Sequence, residues 1–273
     1  MSPWASQSGR HSEPDTRLRR AGARPSCRPS QTSRVTRRAD QRPDAEPEPE
    51  AGTGSARDFL PAQPTLDRMR EAVQACRGCG LYLNATQAVF GEGPRGASIM
   101  LVGEQPGEVL PVAGQPFVGP AGALLDRSLE DAGIDRSLAY VTNVVKHFKW
   151  KRTFRPGGAP GKRRLHDKPN AYEVEACRPW LEAEIRQVRP AVVVLLGSTA
   201  AQALLGKSFR VTRQRGQLFE SEQGPLLTAT VHPSSILRAP DEVSRESARQ
   251  AFVADLRAVA EALARLDSAE GRR

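Results

Sequence analysis

Four groups of side chains in this sequence could do chemistry. Glu104 and Gln105 lie between two glycines in Gly103-Glu104-Gln105-Pro106-Gly107, directly after an apolar run. Asn143 and His147 follow a second apolar run, and His232-Pro233-Ser234 follows a third. Carboxylate, amide and imidazole groups together offer donors, acceptors and proton-transfer groups to a polar ligand. The fourth group is soft: Cys76-x-x-Cys79, with Cys177 about a hundred residues further on. Two cysteines at this spacing point to a metal site or a redox dithiol. A four-ligand site is then one donor short, and His147, lying between them in sequence, is the best-placed candidate. Zinc or an iron–sulfur cluster would suit such donors. Cys177 also fits the apolar face of a helix, where a plain core cysteine would sit. Cys27 falls in the N-terminal tail and does not enter the set.

The polar groups need elements to hold them, and the apolar patterns supply these. Residues 98–102 read as a buried strand, followed by a Gly/Pro-rich turn carrying Phe117 and a helix near 121–132. A strand ending in a glycine-bounded polar loop before a helix is how open α/β sheets build sites. It is also an ordinary strand–turn–helix crossover. Residues 138–145 read as a second strand. Residues 191–197 are apolar without alternation, the mark of a central strand covered by helices on both faces. Residues 217–220 and 226–231 read as later strands. Thr65 is placed to cap a helix through Ala75 and Ser198 one through Leu205; further helices fall at 171–188 and 242–266. The order βαβ…αβαββα predicts one three-layer α/β domain, in which the three polar strand ends can meet at one crevice.

Residues 152–170, RTFRPGGAPGKRRLHDKPN, read as a long basic loop, because glycine and proline bar regular structure from most of it. A loop of that length inside a domain is usually functional or disordered. Residues 1–60 are rich in Arg, Pro, Ser and acids and nearly devoid of aromatics, a composition that cannot offset the entropy of folding. The expected division is therefore a tail over 1–60 and a folded domain over 61–273. The formal net charge of +9 favours a polyanionic partner, though a surface rich in arginine gives the same number. No apolar run is long enough to span a membrane and no secretory signal is visible, so a cytoplasmic, nucleoid-associated location is expected.

The motifs GEQPG (103–107), GQPFVGPAG (114–122), TNVVKHFKW (142–150), KRRLH (162–166), ACRPWLEAEI (176–185) and HPSSILR (232–238) resemble the uracil-DNA glycosylase superfamily. They are most similar to its UdgX-type branch, itself similar to the family 4 iron–sulfur uracil-DNA glycosylases. The resemblance covers about residues 66 to 260, in the family's motif order. It departs in Val109-Leu110-Pro111, where the branch usually has acidic residues, and in a longer segment before KRRLH.

The resemblance implies a four-stranded, mainly parallel sheet between helices and a [4Fe-4S] cluster held by Cys76, Cys79, His147 and Cys177. It implies excision of uracil from DNA, single strands included, by a protein that needs only a monomer. Asn143 would read the base edge, Phe117 would stack on the flipped ring, and His232 would donate to O2 of the leaving base. Ser234 would cap the following turn and touch a phosphate. Glu104 and Gln105 would lie beneath sugar and base; Gln105 cannot act as a base. Lys162, Arg163 and Lys168 would bind backbone phosphates, and Arg164 would position the loop. In the UdgX-type branch the histidine matching His166 attacks C1′ once uracil has left, leaving a stable adduct; Glu104 or Asp167 would fix its tautomer. A conventional hydrolytic glycosylase and a non-catalytic iron–sulfur DNA-binding protein are the alternatives.

Overall fold

Alternate residues of the first strand, β1 (Ile99–Gly103), feed two different cores. On one face Ile99 and Leu101 pack with Leu125 of α2 (Pro120–Asp131), Ile236 of α6 (Pro233–Leu237) and Phe252 of α7 (Glu242–Glu270). On the other, Met100 and Val102 join Met69 of α1 (Leu66–Ala72), Trp180 of α3 (Ala171–Val188), Ala200 and Ala201 of α4 (Ser198–Leu205) and Val211 of α5 (Val211–Gln214). Each Val, Leu, Ile, Phe or Met side chain among these contributes roughly 1.5–3 kcal/mol on removal from water. The result is the expected αβα sandwich. This computed structural model describes residues 54–107, 114–154, 160–221 and 224–270. Residues 1–53, with Cys27, and the segment holding Glu108 and Val109-Leu110-Pro111 lie outside the described residues.

The main sheet has five strands in the order β2-β1-β5-β7-β6, not the four that the resemblance implies. Four are parallel: β2 (Ala139–Asn143), β1, β5 (Val192–Leu196) and β7 (Leu226–Thr230). The fifth, β6 (Leu218–Phe219), is a two-residue antiparallel edge on β7. The registers pair Gly103 with Asn143 and Leu196 with Thr230, so the parallel strands end together at one rim.

The basic segment is not a loop. Trp150–Phe154 (β3) and Pro160–His166 (β4) pair as an antiparallel hairpin, with a register shift between Arg152 and Phe154. The glycines and prolines that argue against regular structure are concentrated between the strand-forming ends; residues 155–159 lie outside the described residues. Gly161 allows the strands to approach, since a Cβ there would stand 2.2 Å from Thr153 Oγ1.

Three local boundaries also differ from expectation. The helix begun at Thr65 is α-helical only to Ala72 and tightens to 3-10 over Val73–Ala75. Gly197, at φ 92°, takes the cap position of α4, and Ser198 is its first residue. Packed chain begins before residue 60: Ala56–Phe59 form a 3-10 turn capped by Ser55, and Ala56 is buried against the core. The Tyr172 hydroxyl donates to the Gly54 carbonyl at 3.1 Å. Composition over sixty residues averages this anchor into the tail.

Candidate active site

β1 and β5 are neighbours whose connections run opposite ways, β1 through α2 to β2 and β5 through α4, α5 and β6 to β7. In open α/β sheets the crevice beyond such a reversal takes ligands. Glu104 follows β1, and Thr199 is the second residue of α4 after β5. The Thr199 hydroxyl donates to Glu104 Oε2, joining the two sides.

Gln105 is buried, and its amide is fixed at both ends. Its Oε1 accepts from the Lys149 N–H and its Nε2 donates to the Asp167 carbonyl, each at 2.8 Å. The same Nε2 lies 2.5 Å from His166 Nε2. An amide nitrogen only donates, so His166 Nε2 is the acceptor and the ring proton sits on Nδ1. Glu104 Oε1 stands 3.5 Å from that ring nitrogen, a contact that by itself would favour a proton on Nε2. The two contacts ask for different tautomers; the shorter one sets the resting state, and Glu104 acts as a nearby countercharge. Asp167 does not orient the ring with its carboxylate, which faces Lys151 at 3.2 Å and Lys149 at 3.9 Å. The His166 side chain is 55% exposed, so a large ligand can reach it.

Asn143, Phe117 and His232 form the second half of the site. Asn143 is buried, and its Oδ1 has no hydrogen-bond partner among the described residues. A buried polar atom left so costs about 1–3 kcal/mol, which a ligand N–H would relieve. Gly103 lets both side chains close in on the strand end: a Cβ there would stand 2.4 Å from Asn143 Oδ1 and 2.7 Å from Phe117 Cζ. Phe117 holds a left-handed backbone at φ 60°, unusual for a bulky residue and common where a site stores strain. Its ring stacks on His232 with centroids 5.8 Å apart and planes at 28°.

His232, not Ser234, caps α6. Its Nδ1 accepts from the Ser234 N–H at 3.1 Å and lies 2.8 Å from the Ser234 hydroxyl. A ring nitrogen occupied this way leaves the proton on Nε2, a donor free to serve a ligand. Burial first, then the charges of Arg238 and His166, push the His232 pKa down to about 4, so the donor is neutral near pH 7.

The hairpin carries the basic residues. The Arg164 guanidinium lies over the Trp150 ring, 4.6 Å from its centroid. Lys162 and Arg163 lie in β4, but their side chains fall outside the described set. Lys149 Nζ pairs with Glu173 at 2.9 Å, and Glu173 completes a capping box with Asn170 at the start of α3. Hairpin, Gln105 and α3 are thereby tied together.

Beneath the site lies a buried network that the sequence reading missed. Glu184 of α3 and Lys146 are both fully buried and paired at 2.5 Å. Glu184 also accepts from the Tyr140 hydroxyl, the Thr142 hydroxyl and the Gly91 N–H, each at 3.0 Å. Lys146 Nζ donates to the Asn143 carbonyl at 2.8 Å, fixing the backbone below the unpaired amide. Thr199 was equally overlooked; its only sequence signal is a hydroxyl just past the most apolar strand.

The soft donors are Cys76, Cys79, Cys177 and His147, all buried, the cysteines unpaired as thiols. Burial raises Cys79 to about 11 and Cys177 to about 12. Each thiol feels the charge of its neighbours, and a backbone N–H at Lys146, beside His147, bonds to Cys177. The Trp180 indole N–H donates to Cys76 Sγ at 3.3 Å. Among the described residues no three or more His, Cys, Asp or Glu side chains gather as they would round one metal ion. A multinuclear cluster spreads its ligands wider, and buried thiols with N–H donors to sulfur fit its chemistry.

The fold and crevice define an open α/β protein with hydrogen-bonding side chains gathered at its strand ends. The family model of the uracil DNA glycosylase superfamily matches residues 90–257. The type-4 uracil-DNA glycosylase of Thermotoga maritima is 38% identical over 174 residues, 63% of this chain and 83% of the relative. That of Pyrobaculum aerophilum is 36% identical over 182 residues, 64% and 86% of the two chains. The chain belongs to the uracil DNA glycosylase superfamily. No helix among the described residues is long and apolar enough to cross a membrane.

Proposed function

We propose that this chain excises uracil from DNA and is then captured by its own product, as in the UdgX-type branch. Uracil, flipped from the stack, lies against Phe117. Asn143 Oδ1 accepts from N3–H, a match that cytosine, with a bare N3 acceptor, does not offer. The His232 Nε2–H donates to O2. As the N1–C1′ bond breaks, its electron pair leaves with N1 and O2 carries much of the resulting charge. A preorganised donor at that oxygen is worth roughly 3–4 kcal/mol, by comparison with other oxyanion donors.

The sugar is left as an oxocarbenium ion. The His166 Nε2 lone pair exchanges its contact with Gln105 for C1′ and forms the new C–N bond. Nδ1 keeps its proton, so the ring becomes an alkylated imidazolium facing Glu104 Oε1, and the uracil anion is protonated by water. Such a ring has no easy hydrolytic exit, so turnover stops. The reading rests on one observation, the His166 Nε2 acceptor facing the Glu104–Gln105 floor. Incubation with uracil-containing single-stranded DNA should give an SDS-resistant band that His166→Ser abolishes. Abasic DNA without an adduct would instead mean a hydrolytic, turning-over enzyme.

In this reading Cys76, Cys79, His147 and Cys177 hold a [4Fe-4S] cluster whose binding energy supports folding. It takes no part in the steps above. Cys76→Ala should lose iron and visible absorbance and melt at lower temperature; full iron content with unchanged melting would contradict this assignment.

A further inference from the structure

One face of the β3–β4 hairpin carries aromatic and cationic residues in a line that starts at His166. Residues directly opposite in an antiparallel pair share a face, as do residues two apart along a strand. The registers Trp150 with His166 and Arg152 with Arg164 therefore put these four side chains on one face. Phe154 stands two residues beyond Arg152 on β3 itself, past the register shift that leaves the extra residues on β4. Lys151 and Leu165 point the other way.

The line has a built inner end and an open outer one. The Trp150 indole N–H donates to the Asn84 carbonyl at 2.8 Å, anchoring the ring to the domain. Arg164 and Arg152 flank that ring, their guanidinium carbons 4.6 and 5.9 Å from its centroid. Phe154 is 67% exposed, the most exposed aromatic among the described residues. Two residues along a strand advance about 6.8 Å, so ring, cation pair and ring follow at steps suited to an unstacked nucleotide chain. A basic track with aromatic faces for successive bases is how proteins hold single strands.

We propose that this face binds the single-stranded DNA flanking the nucleotide at His166, with a phosphate on Arg152 and Arg164 and an unstacked base on Phe154. This rests on the reading of the crevice as a uracil site. Continuity with that site and the positive charge of the face select DNA as the occupant. An exposed phenylalanine next to a pair of cations is what such a strand would cover. A fully paired duplex keeps its bases stacked and cannot use Phe154.

The test separates track from chemistry. Fluorescence anisotropy is measured with labelled single-stranded oligonucleotides containing thymine in place of uracil, with a denaturing gel checking that the strands stay intact. Long oligonucleotides are compared with ones truncated close to the central position. Stacking is worth about 1–3 kcal/mol per base, or roughly 5- to 150-fold in affinity. Phe154→Ala should weaken the long oligonucleotide at least about 5-fold and leave the truncated one unchanged, while Phe154→Tyr restores binding. Arg152→Gln should flatten the salt dependence of log K by about 0.7, one single-strand phosphate. Wild-type affinity of Phe154→Ala for the long oligonucleotide, or equal losses on long, truncated and duplex DNA, would overturn the proposal. Failure of the wild-type protein to release uracil from any substrate would sink the function above, while the anisotropy result would still decide the track.

Discussion

Thr199→Val removes one hydroxyl from a side chain that is 5% exposed and keeps its shape. The lost bond runs to the Glu104 carboxylate, and hydrogen bonds to charged groups are worth about 1.5–3 kcal/mol. Glu104 is 21% exposed, so water replaces part of that, leaving about 1.5–2 kcal/mol. Electrostatics gives a similar size. At 3.5 Å and an effective dielectric constant of 20, a carboxylate attracts an imidazolium by about 5 kcal/mol; at about 5.5 Å, by about 3 kcal/mol. A carboxylate released to drift by two ångströms thus forfeits nearly the same energy. Spent in the transition state, it slows the reaction roughly 10- to 30-fold. Rapid-quench kinetics should show that slowing in adduct formation under single-turnover conditions, with near-normal melting and recovery in Thr199→Ser. Wild-type rates in a folded Thr199→Val protein would refute the idea that this hydroxyl positions Glu104.

Glu184→Ala strands the buried Lys146 ammonium, which costs about 3–5 kcal/mol; urea denaturation should show the loss, and a change below 1 kcal/mol would contradict it. Gly103→Ala drives a methyl into the Asn143 amide and the Phe117 ring, so uracil release should fall at least about tenfold, with the secondary structure unchanged by circular dichroism. His232, with its pKa lowered to about 4 in the folded chain, takes up its proton later than in the unfolded chain, near 6.5. The unfolded state binds more protons between these values, so the His232 contribution is fully present above about pH 6.5 and is lost as the pH falls towards 4. The melting temperature of the wild type should therefore drop more steeply over that interval than that of His232→Gln; parallel curves would mean the imidazole is not buried.

Much of the site's chemistry was legible before any coordinates, because it follows strand ends. The sequence determined by itself that the run at 191–197 holds a central strand covered on both faces, realised as Val192–Leu196, since its apolar residues do not alternate. It likewise determined that Glu104, Gln105, Asn143 and His232 stand where strands stop, because each follows an apolar run directly. Which of them meet was decided by strand order. Thr199 and Glu104 are 95 residues apart and become partners only because β5 inserts beside β1. The hairpin escaped detection for the same reason: its cross-strand register is a non-local property, whereas the glycines and prolines between its strands act locally. The partnerless oxygen of Asn143 and the direction of His166 Nε2 are also tertiary facts, for a hydrogen bond is set by distance and angle, and residue types supply neither.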